Sequence, residues 1–305
     1  MTNILCTILL DFSHGFIDSI KGLSFIRQLD QDDEYEELAS PAPRRRTVLQ
    51  ARREKNGAVN RPAEKVLRHR ERVWKRVLQC AGVNLGIIGM LFLLSLVFNF
   101  IIGLFSDGSY GVYITNICCL PFFLITRILM ALWFSDVASA CLRQLKLPDP
   151  PPVDFRISLA DTVVSFILCT FFLIQGLMVE YLPIPKISTL LVLVHMTLLN
   201  SMYSFEYFWA SRSVSLHARI GRVEKHWPYF IGFGAPLTIA TSISSNVIVN
   251  GCIFATLFPF FIISSYKAKW NRVHQDVEVP KMSIFKLASL LTNKFSTKVK
   301  SILLP

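Results

Sequence analysis

The chain has 305 residues, of which 52% are hydrophobic and only 17% charged, with a formal net charge of +11 and a mean hydropathy of +0.45. That balance excludes an ordinary soluble domain and puts the chain in the membrane class. It also makes nucleic acid a poor reading of the positive charge, because a basic stretch beside an apolar span is a topology determinant.

At the N-terminus, Ile8, Phe12, Phe16, Ile20 and Leu23 recur every three to four positions among Asp11, Ser13, His14, Asp18 and Lys21. This spacing predicts an amphipathic helix within 1–29, lying on the membrane surface or on the protein's own cytosolic face. No basic start precedes it and Asp11 interrupts the apolar run early, so it does not read as a cleavable signal. Residues 30–62 hold an acidic block, prolines and then a basic block, with few large apolar side chains. Such a segment cannot bury a core and reads as a disordered cytosolic linker. Within it, Tyr35 and Leu38 follow Asp32, Asp33 and Glu34. That pattern suits a peptide adding as a strand to a ubiquitin-like autophagy adaptor, although a solvated linker is the plainer reading. The arginines of 44–53 admit importins or anionic lipid as partners, with a topology signal the first choice.

A bilayer core about 30 Å thick needs roughly 20 apolar residues per helix. Residues 77–106 carry no charge, 110–142 are apolar but for Arg127 and Asp136, and 162–179 are uncharged. Residues 187–205 are uncharged apart from His195, and 227–266 run forty positions without a charge. Asn250-Gly251 is a turn signal inside that last stretch. It leaves two arms of about 16 or 17 residues, so the pair reads as a hairpin that only partly crosses. The "HWPYFIGFGAPL" that opens it has positional logic. Trp227 and Tyr229 mark a cytosolic interface, and Pro228 starts a helix. Gly232 and Gly234 allow a neighbouring helix to approach, and Pro236 bends the segment. At the other end, 282–304 set Ile284, Leu287, Leu291, Phe295, Val299 and Ile302 against Lys286, Lys294, Lys298 and Lys300. This predicts a basic amphipathic helix on the anionic cytosolic leaflet, within a tail of 267–305. The expected fold is all-α: a polytopic membrane helix bundle of about six segments over 63–266, with amphipathic cytosolic helices at both ends.

Charge sets the orientation. Residues 44–76 hold thirteen Lys or Arg against three Glu, immediately before the first span. The loops then alternate between base-poor (106–111, 180–186) and base-rich (143–156, 211–226). Both termini are therefore expected in the cytosol.

Polar groups within spans are costly and face protein or water. Arg127, Asp136 and Asp161 lie at similar depth, which suggests an Arg127–Asp161 or Arg127–Asp136 pair. His195 and Glu206, eleven residues apart, share one face of the fourth span, and Asp161 and Gln175 share a face of the third. Glu206 has Arg127 or a base of 211–222 as its expected partner. A permeation path lined by Arg127, His195 and Glu206 is one reading, and interhelical hydrogen bonds that hold the bundle are the favoured one. Gly82 and Gly86 form a weak helix-contact motif. The seven cysteines form no CxxC pair and no zinc spacing, and they read as small hydrophobes; a palmitoylated Cys80 is the lesser alternative. No GxSxG, HExxH or phosphate-cradling glycine loop is present, so no enzyme, metal or cofactor is expected.

The stretches "LWFSDVASACL" (132–142), "FFLIQGLMVEYLPI" (171–184), "LLVLVHMTLLNSMYSFEYFW" (190–209), "RVEKHWPYFIGFGAPL" (222–237) and "NGCIFATLFPFFIISS" (250–265) together resemble the etoposide-induced protein 2.4 family. "GFIDSIKG" (15–22) and the arginine-rich block before the first span agree with it. The resemblance implies a multispanning endoplasmic-reticulum protein required for autophagy and linked to growth suppression and apoptosis, with apoptosis regulators among its partners. That family is distantly similar to CysZ-type sulphate permeases, which implies a channel or transporter for a small anion or lipid as the alternative.

Overall fold

The computed structural model describes residues 2–22, 24, 73–103, 110–145, 155–270 and 279–303. Within them the chain is helical. Helix α1 spans Thr2–Ile20, α2 Val73–Gly103, α3 Tyr110–Gln144, α4 Phe155–Glu180 and α5 Pro185–Ser211. A short α6, Leu216–Lys225, leads into α7, Trp227–Thr241, followed by α8, Val247–Lys267, and α9, Lys286–Leu303.

Five of these are long and apolar enough to cross a bilayer: Val73–Ile101, Ile114–Arg143, Ala160–Glu180, Lys186–Ser211 and Val247–Lys267. Helix α7, the first arm of the expected hairpin, is not among them: it has only 15 residues, about 22 Å at 1.5 Å per residue, as an arm that only partly crosses would have. The expected equal arms are corrected. The turn falls at 242–246, and Asn250-Gly251 lies inside α8. Side-chain chemistry decides this. Asn246 caps α8 by accepting from the Ile248 and Val249 N–H groups. Asn250 reaches back from the helix to bond both N–H and C=O of Ser244. Asn246 thus satisfies N–H groups that a helix start leaves open, and Asn250 satisfies the backbone of the turn before it. Gly251 serves packing instead, since a Cβ there would stand 2.6 Å from the Phe123 ring.

Gly234 and Gly232 do what their composition suggested. A Cβ on Gly234 would meet the Thr197 carbonyl oxygen at 1.9 Å, and one on Gly232 the Phe12 carbonyl oxygen at 2.0 Å. Helix α7 is therefore clamped between α5 and α1. By contrast, Gly82 and Gly86 have nothing within 4 Å and bring no described helix close. The core centres on Phe205, whose ring lies against Trp209, Phe230 and Phe233. In a bilayer such burial exchanges lipid for protein rather than water for protein, so close packing and hydrogen bonds supply the association energy.

Two expectations about surfaces change. Tyr229 is wholly buried rather than interfacial, and its hydroxyl donates to Asp18 Oδ2 at 2.8 Å. Trp227 does remain near the surface, donating from Nε1 to the Pro280 carbonyl. The C-terminal helix docks on α4, with Phe285 stacked 4.1 Å from Phe172. Its Leu287, Leu290 and Phe295 are exposed. Cys80 is fully buried and closed to acylation.

Candidate functional site

The intramembrane polar residues separate into distinct contact sets. The first lies at the end of α4 and α5 nearest the basic loops. There Arg219 of α6, only 2% exposed, donates from Nη1 to Glu206 Oε1 and from Nη2 to Asp161 Oδ2 at 2.8 Å. Its Nε donates to the Val214 carbonyl at 2.8 Å. One guanidinium thus ties α4, α5 and α6 together through a planar fork, a task a lysine's point charge does less well. The expected partner class for Glu206, a base of 211–222, is the one found. The expected Arg127–Asp161 and Arg127–Asp136 pairs are not formed. Asp161 belongs to Arg219, and Asp136 lies 3.3 Å from Arg76 at the start of α2. Sequence reasoning missed the reach of a short amphipathic helix lying beside the span ends.

The second set surrounds Arg127. Its Nη1 donates to the Gly251 carbonyl at 3.0 Å and its Nη2 to Asn84 Oδ1 at 3.2 Å. The Phe123 ring lies 4.1 Å from the guanidinium carbon, a cation–π contact. These partners are neutral groups, and they join α2, α3 and α8. The third set is Gln175 with His195. Gln175 Nε2 lies 3.0 Å from His195 Nε2 and donates to the Ile284 carbonyl at 3.2 Å. His195 Nδ1 is 2.8 Å from the Leu191 carbonyl, which fits an Nδ1–H tautomer whose Nε2 accepts. His195 and Glu206 share a helix but not a network, and the same holds for Asp161 and Gln175.

A fourth set had no sequence expectation. Glu224, buried on α6, bonds Lys281 Nζ at 2.9 Å and accepts from the Phe285 N–H at 3.2 Å. It pins the C-terminal segment to the bundle. The signal available was the stripe of Arg219, Ile220, Val223 and Glu224 on one face of α6, which buries two charges beside two aliphatics.

A half-open cavity of about 430 Å³ lies between α4, α6 and α9, bordered by Asp161, His217, Ser215, Thr292 and Asn293 over an apolar floor of Val164 and Leu168. Among the described residues no group of three His, Cys, Asp or Glu is placed to hold a metal. The motif at Tyr35 and Leu38 lies outside the described residues.

Residues 63–262 match the family model described as sulfate transporter CysZ/etoposide-induced protein 2.4. Ectopic P granules protein 4 of Caenorhabditis elegans is 44% identical over 96% of this chain and 92% of its own length. Two proteins named Protein EI24 homolog are similar over shorter stretches. The one from Arabidopsis thaliana is 26% identical over 48% of this chain and 52% of its own length. The one from Dictyostelium discoideum is 30% identical over 45% and 44%. No solved structure matches the chain significantly.

Proposed function

This chain belongs to the sulfate transporter CysZ/etoposide-induced protein 2.4 family of membrane proteins, and on that premise we propose that it is an endoplasmic-reticulum scaffold serving autophagosome formation. Resemblance to the etoposide-induced branch along nearly the whole chain supports the autophagy role. What supports a scaffold over a permease is the division of the polar residues. Arg127, His195 and Glu206, the three that a conduction path would need, each bond a different set of bundle groups. Each set joins helices and none continues into the next. The protein acts on this reading through its lipid-facing surface and its basic flanks.

A second reading, passage of a small anion, is favoured by one observation. Arg127 carries its charge among neutral partners, half-buried between α2, α3 and α8, where a mobile anion would find a cation with no carboxylate beside it among the described residues. Reconstitution separates the two. A scaffold leaves sulphate flux and lipid scrambling in vesicles at the protein-free rate, while its removal from cells stalls autophagosome formation. Flux above that rate, lost in Arg127→Met, would overturn the scaffold reading.

A further inference from the structure

Helix α1 is inside out for a helix on a watery surface. Thr7, Asp11, Gly15, Asp18, Ser19 and Gly22 fall on one stripe, and all are buried. Leu5, Leu9, Leu10, Phe12, Ile17 and Ile20 face outward, with Leu5 63% and Leu9 67% exposed. From Ile4 to Ile20 the exposed residues include His14 but no Asp, Glu, Lys or Arg. The buried polar groups have work inside the protein. Asp18 accepts from the Tyr229 hydroxyl, the Lys21 ammonium and the Lys269 N–H. Ser264 Oγ accepts from the Gly22 N–H and donates to the Ser19 carbonyl.

Its direction follows from the same contacts. From Phe12 to Asp18, the partners on α7 shift from Gly232 back to Tyr229, so the two helices run antiparallel. A Cβ on Gly15 would stand 2.0 Å from the Tyr229 carbonyl oxygen, so the backbones touch. Helix α7 leaves the basic α6 and ends at the 242–246 turn, where Asn246 Nδ2 donates to Asn116 Oδ1 at 2.9 Å. Asn116 lies near the start of α3, whereas Arg143 closes that helix at its other end. The first turn of α1 therefore lies toward the membrane face opposite the basic segments. Its 19 residues extend about 28 Å at 1.5 Å per residue, against a core of about 30 Å.

We infer that α1 is embedded in the bilayer, with its outward stripe covered by lipid acyl chains and its N-terminal end in the leaflet opposite the basic loops. Lipid is the occupant because the stripe continues the apolar exposed faces of the neighbouring helices, such as Ile239 on α7. A water-exposed stripe of this kind would be an aggregation hazard. The two buried aspartates are what lowered the apparent apolarity of the segment, and they face protein rather than lipid. This placement differs from the cytosolic N-terminus expected from charge alone.

The test is nitroxide accessibility in the full chain reconstituted in phosphatidylcholine/phosphatidylserine vesicles. Labels go on Leu5→Cys, Leu9→Cys, Phe12→Cys and Thr7→Cys, with Cys6 and Cys118, the exposed thiols among the described residues, changed to Ser. Collision with oxygen should exceed collision with a water-soluble nickel chelate at positions 5, 9 and 12, with both low at position 7. Nickel exceeding oxygen at the outward positions would overturn the inference. So would low access to both with spin–spin broadening, which marks a second copy of the chain as the occupant. Native Cys6, labelled in a Cys118→Ser background, gives the same reading should the substituted forms fail to fold. An N-terminal epitope should also resist protease added outside sealed microsomes, and its cleavage would overturn the placement of the N-terminal end.

Discussion

Replacing Arg219 with Met tests what holds the basic end of the bundle together. Met fills much of the volume of the arginine stem but removes the cation lying between Glu206 and Asp161. Removing one member of a buried ion set typically costs about 3–5 kcal/mol, because the remaining charge is left uncompensated. Here the Asp161 side chain is 42% exposed and that of Glu206 26% exposed. Water can return to both, which lowers the expected cost to about 2–3 kcal/mol. Glu206→Leu alone leaves Arg219 its bonds to Asp161 and the Val214 carbonyl, and should cost about 1–2 kcal/mol. The double variant has lost one carboxylate of the repelling pair, so it should be more stable than the sum of the single losses by about 1 kcal/mol. Arg219→Lys keeps the charge without the fork and should fall between wild type and Met. Equilibrium denaturant unfolding in detergent micelles measures all four. The reasoning fails if Arg219→Met lies within about 0.5 kcal/mol of wild type, or if the two losses simply add.

Gly234→Val drives a side chain into the Thr197 carbonyl and should abolish a folded detergent-soluble form. Gly86→Ala meets nothing within 4 Å and should leave stability unchanged or slightly higher, as monodispersity on gel filtration and thermal melts would reveal. Arg127→Met removes the bonds to Gly251 and Asn84 and should lower stability by about 1–2 kcal/mol without altering vesicle flux. Burial, then the charge of Lys225, holds the His226 imidazole below its ordinary value, which is about 6.5. On acidification the unfolded chain therefore takes up its proton first. Stability should be full above about pH 6.5 and fall as pH drops toward the lowered folded value, a slope that His226→Gln should flatten in melts between about pH 7 and 5.5. Glycosylation acceptors inserted within 106–111 and 180–186 should be modified in microsomes and one within 211–222 should not, since base-rich loops stay cytosolic.

Much of the fold was legible because a bilayer imposes simple demands on a chain. Uncharged runs such as 77–103 and 162–179 had to be helices, since lipid offers backbone groups no hydrogen-bond partner. Gly232 and Gly234 were readable as contact points because a missing side chain has few other uses within an apolar helix. The polar partners were less legible. Depth along a span placed Arg127 and Asp161 together, but depth says nothing about which helix lies between them, and Arg219 from α6 took Asp161 instead.

The sequence by itself determined the helical class and where the long apolar helices run, because these follow from local composition and the solvent. Only the tertiary structure decided which partner each polar residue found. It also decided that Tyr229 is a core residue, that Asn250-Gly251 sits within a helix, and that α1 turns its aspartates inward. An amphipathic pattern reports that a helix has two faces, and it reads the same whether the polar face meets water or protein. That choice belongs to the neighbouring surface, here the α7 backbone exposed by its glycines and the Tyr229 hydroxyl waiting for Asp18.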